Sequence, residues 1–304
     1  MKSKFSDFSK SKLKYFKFIK SQEIQGNNFN DKLGQFNKFY FPLCNFINKV
    51  HNSKKKPVII GLSGGQGSGK TTIVQILEIL LKINFKLNVV YFSIDDFYKT
   101  LNQRKKMSKN IHSLFLTRGV PGTHDISLLK KTFYKLLKKN FKSFYLPKFD
   151  KSIDDRLPKK KWKKIKTKPD IIIFEGWCVG AAHQEKNIKR PINILEKRED
   201  KKSIWRKTVN NQLKKNYKNI FNLIDKQIFL KVPSFKFVYK WRLLQEKKLK
   251  RISMGKKVMS NLQIKKFIMH YERITKQMLK DHKKFADVVI NINKNHKFDK
   301  MKIN

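Results

Sequence analysis

Five short apolar runs punctuate the chain, and between them apolar residues recur every three or four positions. Val58-Ile59-Ile60-Gly61-Leu62, Val89-Val90-Tyr91-Phe92-Ser93-Ile94 and Ile171-Ile172-Ile173-Phe174 read as strands buried on both faces. Ile228-Phe229-Leu230 and Val288-Val289-Ile290 are shorter runs of the same kind. After the first run, Ile73, Ile76, Leu77, Leu80 and Leu81 share one helical face. Before it, Leu43, Phe46, Ile47 and Val50 fall at helical spacing behind Pro42, which suits the first turn of a helix. Strands separated by helical stretches pair in parallel through crossovers. The pattern therefore predicts an α/β fold, a doubly wound, mostly parallel five-stranded sheet with helices on both faces. Residues 1–35 are basic and polar with few apolar positions and read as a loosely held arm. The main domain is expected over 36–297, a tail over 298–304, and a solvated loop at the charge run 159–168.

One segment carries recognisable chemistry. Gly64-Gly65-Gln66-Gly67-Ser68-Gly69-Lys70-Thr71 fits G-x-x-x-x-G-K-S/T at every position and stands between the first strand and an amphipathic helix. Glycines let successive backbone N–H groups turn inward onto phosphate oxygens, and the helix N-terminus adds its positive end. Lys70 suits the β- and γ-phosphates and the Thr71 hydroxyl suits magnesium, with Thr72 beside it on the nucleotide. ATP and Mg2+ are the cofactors this predicts, in a P-loop NTPase fold.

The second strand ends in Asp95-Asp96-Phe97-Tyr98 and the third in Glu175-Gly176-Trp177. Carboxyl ends of parallel strands face the ligand crevice. Two adjacent aspartates there can cap a helix. They can also supply one carboxylate to deprotonate an accepting hydroxyl and another to a water on magnesium. Glu175 fits a magnesium role of the Walker B kind. Cys178 and Trp177 are expected to pack, as are Tyr271 and Arg273 on a C-terminal helix whose face carries Phe267, Ile268 and Tyr271.

Composition changes this picture less than its size suggests. The net charge is +50, from 72 basic and 22 acidic residues. Only nine of the 72 are arginine, leaving 63 lysines spread along the whole chain among abundant Asn, Ile and Phe. Nucleic-acid surfaces favour clustered Arg with interleaved aromatics, so the excess reads as compositional drift and nucleic acid is not an expected partner. A positive field still speeds capture of ATP and of an anionic substrate. No run of 18 apolar residues occurs, so no membrane span is expected. The first 20 residues hold no arginine and no apolar core of a targeting signal. Cys44 and Cys178 make neither a disulfide framework nor a zinc pattern, which fits a reducing cytoplasm.

Taken with further strings, the chain resembles the D-glycerate 3-kinase family and its bacterial relatives, within the phosphoribulokinase/uridine kinase group, from about Phe39 to His296. The strings are Gly61-Leu62-Ser63 before the P-loop, Ser93-Ile94-Asp95-Asp96-Phe97-Tyr98, and Arg118-Gly119-Val120-Pro121-Gly122-Thr123-His124-Asp125. Leu146-Pro147-Lys148-Phe149-Asp150-Lys151-Ser152 and Asp154-Asp155-Arg156 follow. Phe174 to Gly180, Arg190-Pro191-Ile192-Asn193 and Trp241-Arg242-Leu243-Leu244-Gln245-Glu246 complete them. The resemblance implies strand order 2-3-1-4-5 and transfer of phosphate from ATP to a small anionic hydroxylated metabolite, D-glycerate first, giving 3-phosphoglycerate. A nucleoside or a pantothenate-like acid is the alternative acceptor, and a nucleic-acid-associated P-loop ATPase the alternative of another class. It also implies Asp95 as the base, with Asp96 on the substrate side. Arg118, His124, Lys148, Asp150 and Arg156 are implied around the acceptor, with two alternatives open: His124 can instead structure its Gly-rich loop, and Asp150 can instead orient Lys151. A lid over residues 241–251 is implied to bring Arg242 and Arg251 to the phosphates. One departure lies beside the acceptor segment: plant-type members carry a longer stretch where Ile153 alone precedes Asp154-Asp155-Arg156.

Overall fold

A computed structural model describes residues 2–23, 29–54, 56–252 and 259–304, and the side chains of these except 2–5, 245 and 247–252. The chain runs through α1 (Lys2–Gln22), a single turn α2 (Lys32–Gln35) and α3 (Phe41–Lys54) into β1 (Val58–Gly64), α4 (Lys70–Phe85) and β2 (Val89–Ser93). Next come α5 (Leu101–Asn110), α6 (Ile126–Leu137) and four short strands: β3 (Phe144–Leu146), β4 (Phe149–Asp150), β5 (Asp155–Arg156) and β6 (Lys163–Ile165). Then follow β7 (Ile171–Gly176), α7 (Ile194–Glu199), α8 (Ile204–Gln212), α9 (Lys218–Phe221) and β8 (Lys226–Lys231). The chain closes with α10 (Phe235–Ile252), α11 (Asn261–Phe285), β9 (Val288–Ile292) and β10 (Phe298–Ile303).

Six strands form the main sheet in the order β10-β9-β8-β1-β7-β2. The five expected strands are β1, β2, β7, β8 and β9, all parallel and in the implied order 2-3-1-4-5. Register is set by the apolar runs themselves, with Ile59 and Ile60 of β1 beside Ile172 and Ile173 of β7. Because successive side chains point to opposite faces, these pairs feed two separate cores. Ile60, Ile173, Ile228 and Ile290 pack with α1, α3 and α4 on one face. Ile59, Ile172, Phe174 and Phe229 pack with α6, α8 and α11 on the other. Burial on both faces is why β1 and β7 are continuous apolar runs.

Three expectations fail at the edges. The first 35 residues are not a loose arm, because α1 lies on α4 and sinks Tyr15 and Ile19 to 1% exposure. The Tyr15 hydroxyl donates to the Lys32 carbonyl at 3.0 Å, and its ring meets Phe36 and Tyr40. The tail is likewise a strand: β10 adds antiparallel to β9, with Phe298 and Met301 against the core. Its exposed Lys300 and Lys302 suit a sheet edge that must not pair further. In the charge run, β6 pairs with β3 and buries Ile165. No helix among the described residues is long and apolar enough to cross a membrane.

Candidate active site

The P-loop joins β1 to α4. Gly67 takes φ of 79°, and a Cβ there would stand 2.9 Å from Cβ of Trp241 in α10, so both backbone and neighbour demand glycine. Helix α4 begins at Lys70, which sets its unpartnered N-terminal N–H groups at the turn. Lys70 Nζ folds back to donate to the carbonyls of Gly64 (2.9 Å) and Gly65 (3.2 Å). Burial lowers its pKa, opposed by the nearby carboxylates of Glu175 and Asp95. The Gln66 amide and the Ser68 hydroxyl are buried polar groups with no hydrogen-bond partner. Orphaned groups around a turn of inward N–H donors fit a bound polyphosphate.

A cavity of about 610 Å³ opens here. Gln66, Gly67, Gly69, Lys70, Thr71 and Thr72 line it, as do Asp95, Asp96 and Glu175 at the carboxyl ends of β2 and β7. Arg118, Lys148, Lys151 and Lys163 come from the segments between β2 and β7, and Arg242 from α10. Six cationic side chains thus face three carboxylates, an excess that suits more than one anion.

The two aspartates diverge because the chain turns into a 3-10 helix at Ile94–Phe97. Asp96 does take the capping role: its Oδ2 accepts from Ser93 N at 3.3 Å, while Oδ1 pairs with Lys148 at 2.9 Å. Asp95 accepts the Tyr98 hydroxyl on Oδ1 at 2.8 Å and Lys151 Nζ on Oδ2 at 2.7 Å. Burial acts to raise the Asp95 pKa, but the Lys151 ammonium outweighs it and holds the group well below the usual carboxylate range. Glu175 is 7% exposed, and burial raises its pKa against the opposing pull of Lys70. Among the described residues no cluster of three or more His, Cys, Asp or Glu could hold a metal alone. Thr71 and Glu175 offer two hard oxygen donors in one cavity, which fits magnesium held partly by phosphate oxygens.

Three expected acceptor residues lie elsewhere. His124 is 1% exposed behind Tyr98, its ring stacked on that phenol at 4.6 Å and its Nδ1 2.6 Å from the Tyr217 hydroxyl. Burial lowers its pKa to about 3, so it is neutral and no anion receptor. Arg156 donates to the Tyr98 carbonyl at 2.8 Å and pairs with Asp125 at 3.2 Å. Asp150 accepts from the amide and hydroxyl of Ser152, shaping the β4–β5 turn. All three build the walls rather than line the cavity. Gly64 ends β1, Gly65 and Ser68 stand in the turn itself, and the side chain of Arg251 lies outside the described residues. Conversely, Lys151, Lys163 and Tyr98 line the cavity without having been assigned a role there, and Phe267 and Tyr271, expected on a packing face, line it as well. Trp177 packs as expected, yet it also reaches the wall: its Nε1 donates to the Gly119 carbonyl at 3.0 Å and its ring meets Tyr271 edge-on. Cys178 is fully buried, and Arg273 is spent on Glu196 at 2.5 Å.

Fold and site together define a P-loop kinase. The profile of the "Phosphoribulokinase / Uridine kinase family" matches residues 59–195. A Schizosaccharomyces pombe protein described as "Uncharacterized kinase mug58" is 34% identical over 239 residues, 75% of this chain and 83% of its own length. The chain belongs to the phosphoribulokinase/uridine kinase family. The chloroplastic D-glycerate 3-kinase of Arabidopsis thaliana is 29% identical over 252 residues, 77% of this chain and 52% of that longer protein. The structure of D-glycerate 3-kinase from Cryptococcus neoformans superimposes with a TM-score of 0.71 at 22% identity, covering 87% of this chain and 99% of its own. It shares the fold.

Proposed function

We propose that this protein transfers the γ-phosphoryl group of ATP to a hydroxyl of a small anionic metabolite, D-glycerate first, in the cytoplasm. The observation that carries the proposal is one cavity in which the P-loop, Asp95 and five cations from outside the loop meet. Lys70 and the loop amides would hold the polyphosphate, and Thr71 with Glu175 would hold Mg2+, which supplies positive charge against the phosphates. Asp95 would take the hydroxyl proton, Arg118 and Lys148 would hold the acceptor, and Arg242 would neutralise charge on the transferring group. His124, Arg156 and Asp150 would support Tyr98 and the acceptor turn from behind.

D-Glycerate is favoured over a nucleoside because uncharged acceptors leave the extra cations without a task. The 29% identity to a D-glycerate 3-kinase over 77% of this chain supports the same choice. Pantothenate is the rival acid, since pantothenate kinase of Lactococcus lactis is 33% identical over 132 residues, 43% of this chain. Purified protein should release ADP with D-glycerate and Mg2+ATP but not with uridine, and the product should be a phosphate monoester by phosphorus NMR. Turnover with pantothenate alone would replace the acceptor. ATP hydrolysis stimulated severalfold by DNA or RNA, with no metabolite turned over, would replace the reading altogether.

A further inference from the structure

The cations around the cavity are not equivalent. The Arg118 guanidinium is paired with Asp154 and lies over the Phe149 ring at 5.6 Å. Asp154 is in turn fastened by the fully buried Arg104, through its carbonyl at 2.5 Å and its Oδ2 at 3.0 Å. Lys148 is paired with Asp96, whose other oxygen caps the 3-10 helix. The Lys163 ammonium sits over the Tyr91 ring at 5.2 Å. Lys151 differs from all of these. It stands on the tight β4–β5 turn with a side chain 60% exposed, and its partner at 2.7 Å is Asp95, the residue read above as the base.

We propose that Lys151 is the seat of the acceptor's own carboxylate, and that sharing its ammonium with that carboxylate is what releases Asp95 to act as base. The inference rests on the reading of the protein as a kinase for an anionic metabolite. A carboxylate locked in an ion pair is a poor proton acceptor, because the ammonium stabilises its ionised form. An ammonium offers three donors on a flexible stem, so it can turn toward a second carboxylate without leaving the turn that carries it. In a short hydroxy acid the carboxylate and the reacting hydroxyl lie a few bonds apart, so one molecule reaches Lys151 and Asp95 together. The hydroxyl proton then passes to an Asp95 oxygen while the acceptor oxygen bonds to the γ-phosphorus. The bond from that phosphorus to the bridging oxygen breaks, and its electron pair leaves with ADP. An acceptor without a carboxylate cannot draw the ammonium away, so acceptor charge governs kcat as well as KM.

The test compares D-glycerate with its uncharged amide, D-glyceramide, in the wild type, Lys151→Gln, Lys151→Met and Lys151→Arg, each checked for an unchanged thermal midpoint. The wild type should prefer the acid in kcat/KM by about a hundredfold, the preference should fall to within about tenfold in the Gln and Met variants, and Arg should restore most of it. Calorimetric binding of D-glycerate beside a non-hydrolysable ATP analogue should weaken at least about tenfold in Lys151→Gln. A merely structural lysine would lower both acceptors equally, and an unchanged acid-to-amide ratio overturns the proposal. If the acceptor screen returns another acid, the same ratio is measured with that acid and its amide, and only the glycerate reading is lost. An uncharged acceptor overturns the Lys151 proposal and leaves the kinase reading standing. If nothing is turned over, the kinase reading falls, and D-glycerate binding unaffected by Lys151→Gln removes this proposal too.

Discussion

Gly119 lies directly beneath the Tyr271 hydroxyl: a Cβ on Gly119 would fall 2.1 Å from that oxygen, and the glycine takes φ of 137°. The same hydroxyl donates to the Arg118 carbonyl at 3.1 Å, so α11 is fastened to the acceptor segment at the residue before the glycine. Gly119→Ala should therefore cost about 3 kcal/mol, from overpacking and from a backbone that L-residues avoid. It should also raise the acceptor KM, because Arg118 moves with its carbonyl. Combining it with Tyr271→Ala removes the oxygen together with ring carbons Cζ and Cε1, which would stand 2.5 and 2.7 Å from the added Cβ, so the double variant should lose less than the sum of the two single losses. Additive losses in such a cycle would mean that the two residues do not compete for this space.

Lys70→Ala should remove phosphoryl transfer by about a thousandfold or more while the fold persists. Burial already lowers the pKa of this lysine, so its charged form is costly in the absence of phosphate and its loss costs little stability. Circular dichroism and the thermal midpoint report the fold, and ADP release with the preferred acceptor reports the chemistry. Normal turnover in a folded Lys70→Ala protein would end the kinase reading.

The five parallel strands and the P-loop were legible because each depends on neighbours in sequence, whereas their order came from the family resemblance. Runs such as Ile171-Ile172-Ile173-Phe174 announce two-sided burial, and the P-loop glycines act within eight residues. Helix α1 was illegible because Phe8, Tyr15, Phe16 and Ile19 are a thin stripe among lysines, and only Phe36 and Phe41 across the gap make them a cluster. Strand β10 has no apolar run, since an edge strand needs only Phe298 and Met301 facing inward. Lys151 was hidden among 63 lysines, and only the turn that aims it at Asp95 distinguishes it. For His124 the Gly-rich segment left ligand and loop-former equally open, and the structure gives the second, since Tyr98 stands between it and the cavity.

Magnesium dependence should vary with pH in a direction set by Glu175. Burial raises its pKa above the ordinary glutamate range, whereas Asp95 is held below the aspartate range against its own burial by Lys151. As pH falls, Glu175 therefore protonates first and gives up its place on the metal while Asp95 is still ionised. The Mg2+ concentration for half-maximal rate should climb on the acid side, at a higher pH than a solvated glutamate would give. Glu175→Gln should show a high requirement that no longer changes with pH. Magnesium titrations from pH 5 to 8 check both, and an identical acid limb in the variant would assign that limb to another group.

The final prediction separates the two aspartates. Asp95 faces the cavity with both oxygens engaged by Tyr98 and Lys151, whereas Asp96 divides itself between the Ser93 amide and Lys148. Asp95→Asn keeps size and polarity but cannot take a proton, so kcat should fall about a hundredfold or more with ATP affinity little changed. For Asp96→Asn the sequence pointed to a higher magnesium requirement, and the geometry points instead to the acceptor. The amide oxygen can still cap the 3-10 helix, but the ion pair that positions Lys148 is lost. Acceptor KM should rise severalfold, with kcat and the magnesium requirement within about twofold of the wild type. Both variants should be titrated in acceptor and in magnesium separately. A dead Asp96→Asn beside an Asp95→Asn impaired only in acceptor KM would reverse the assignment of base and positioning residue.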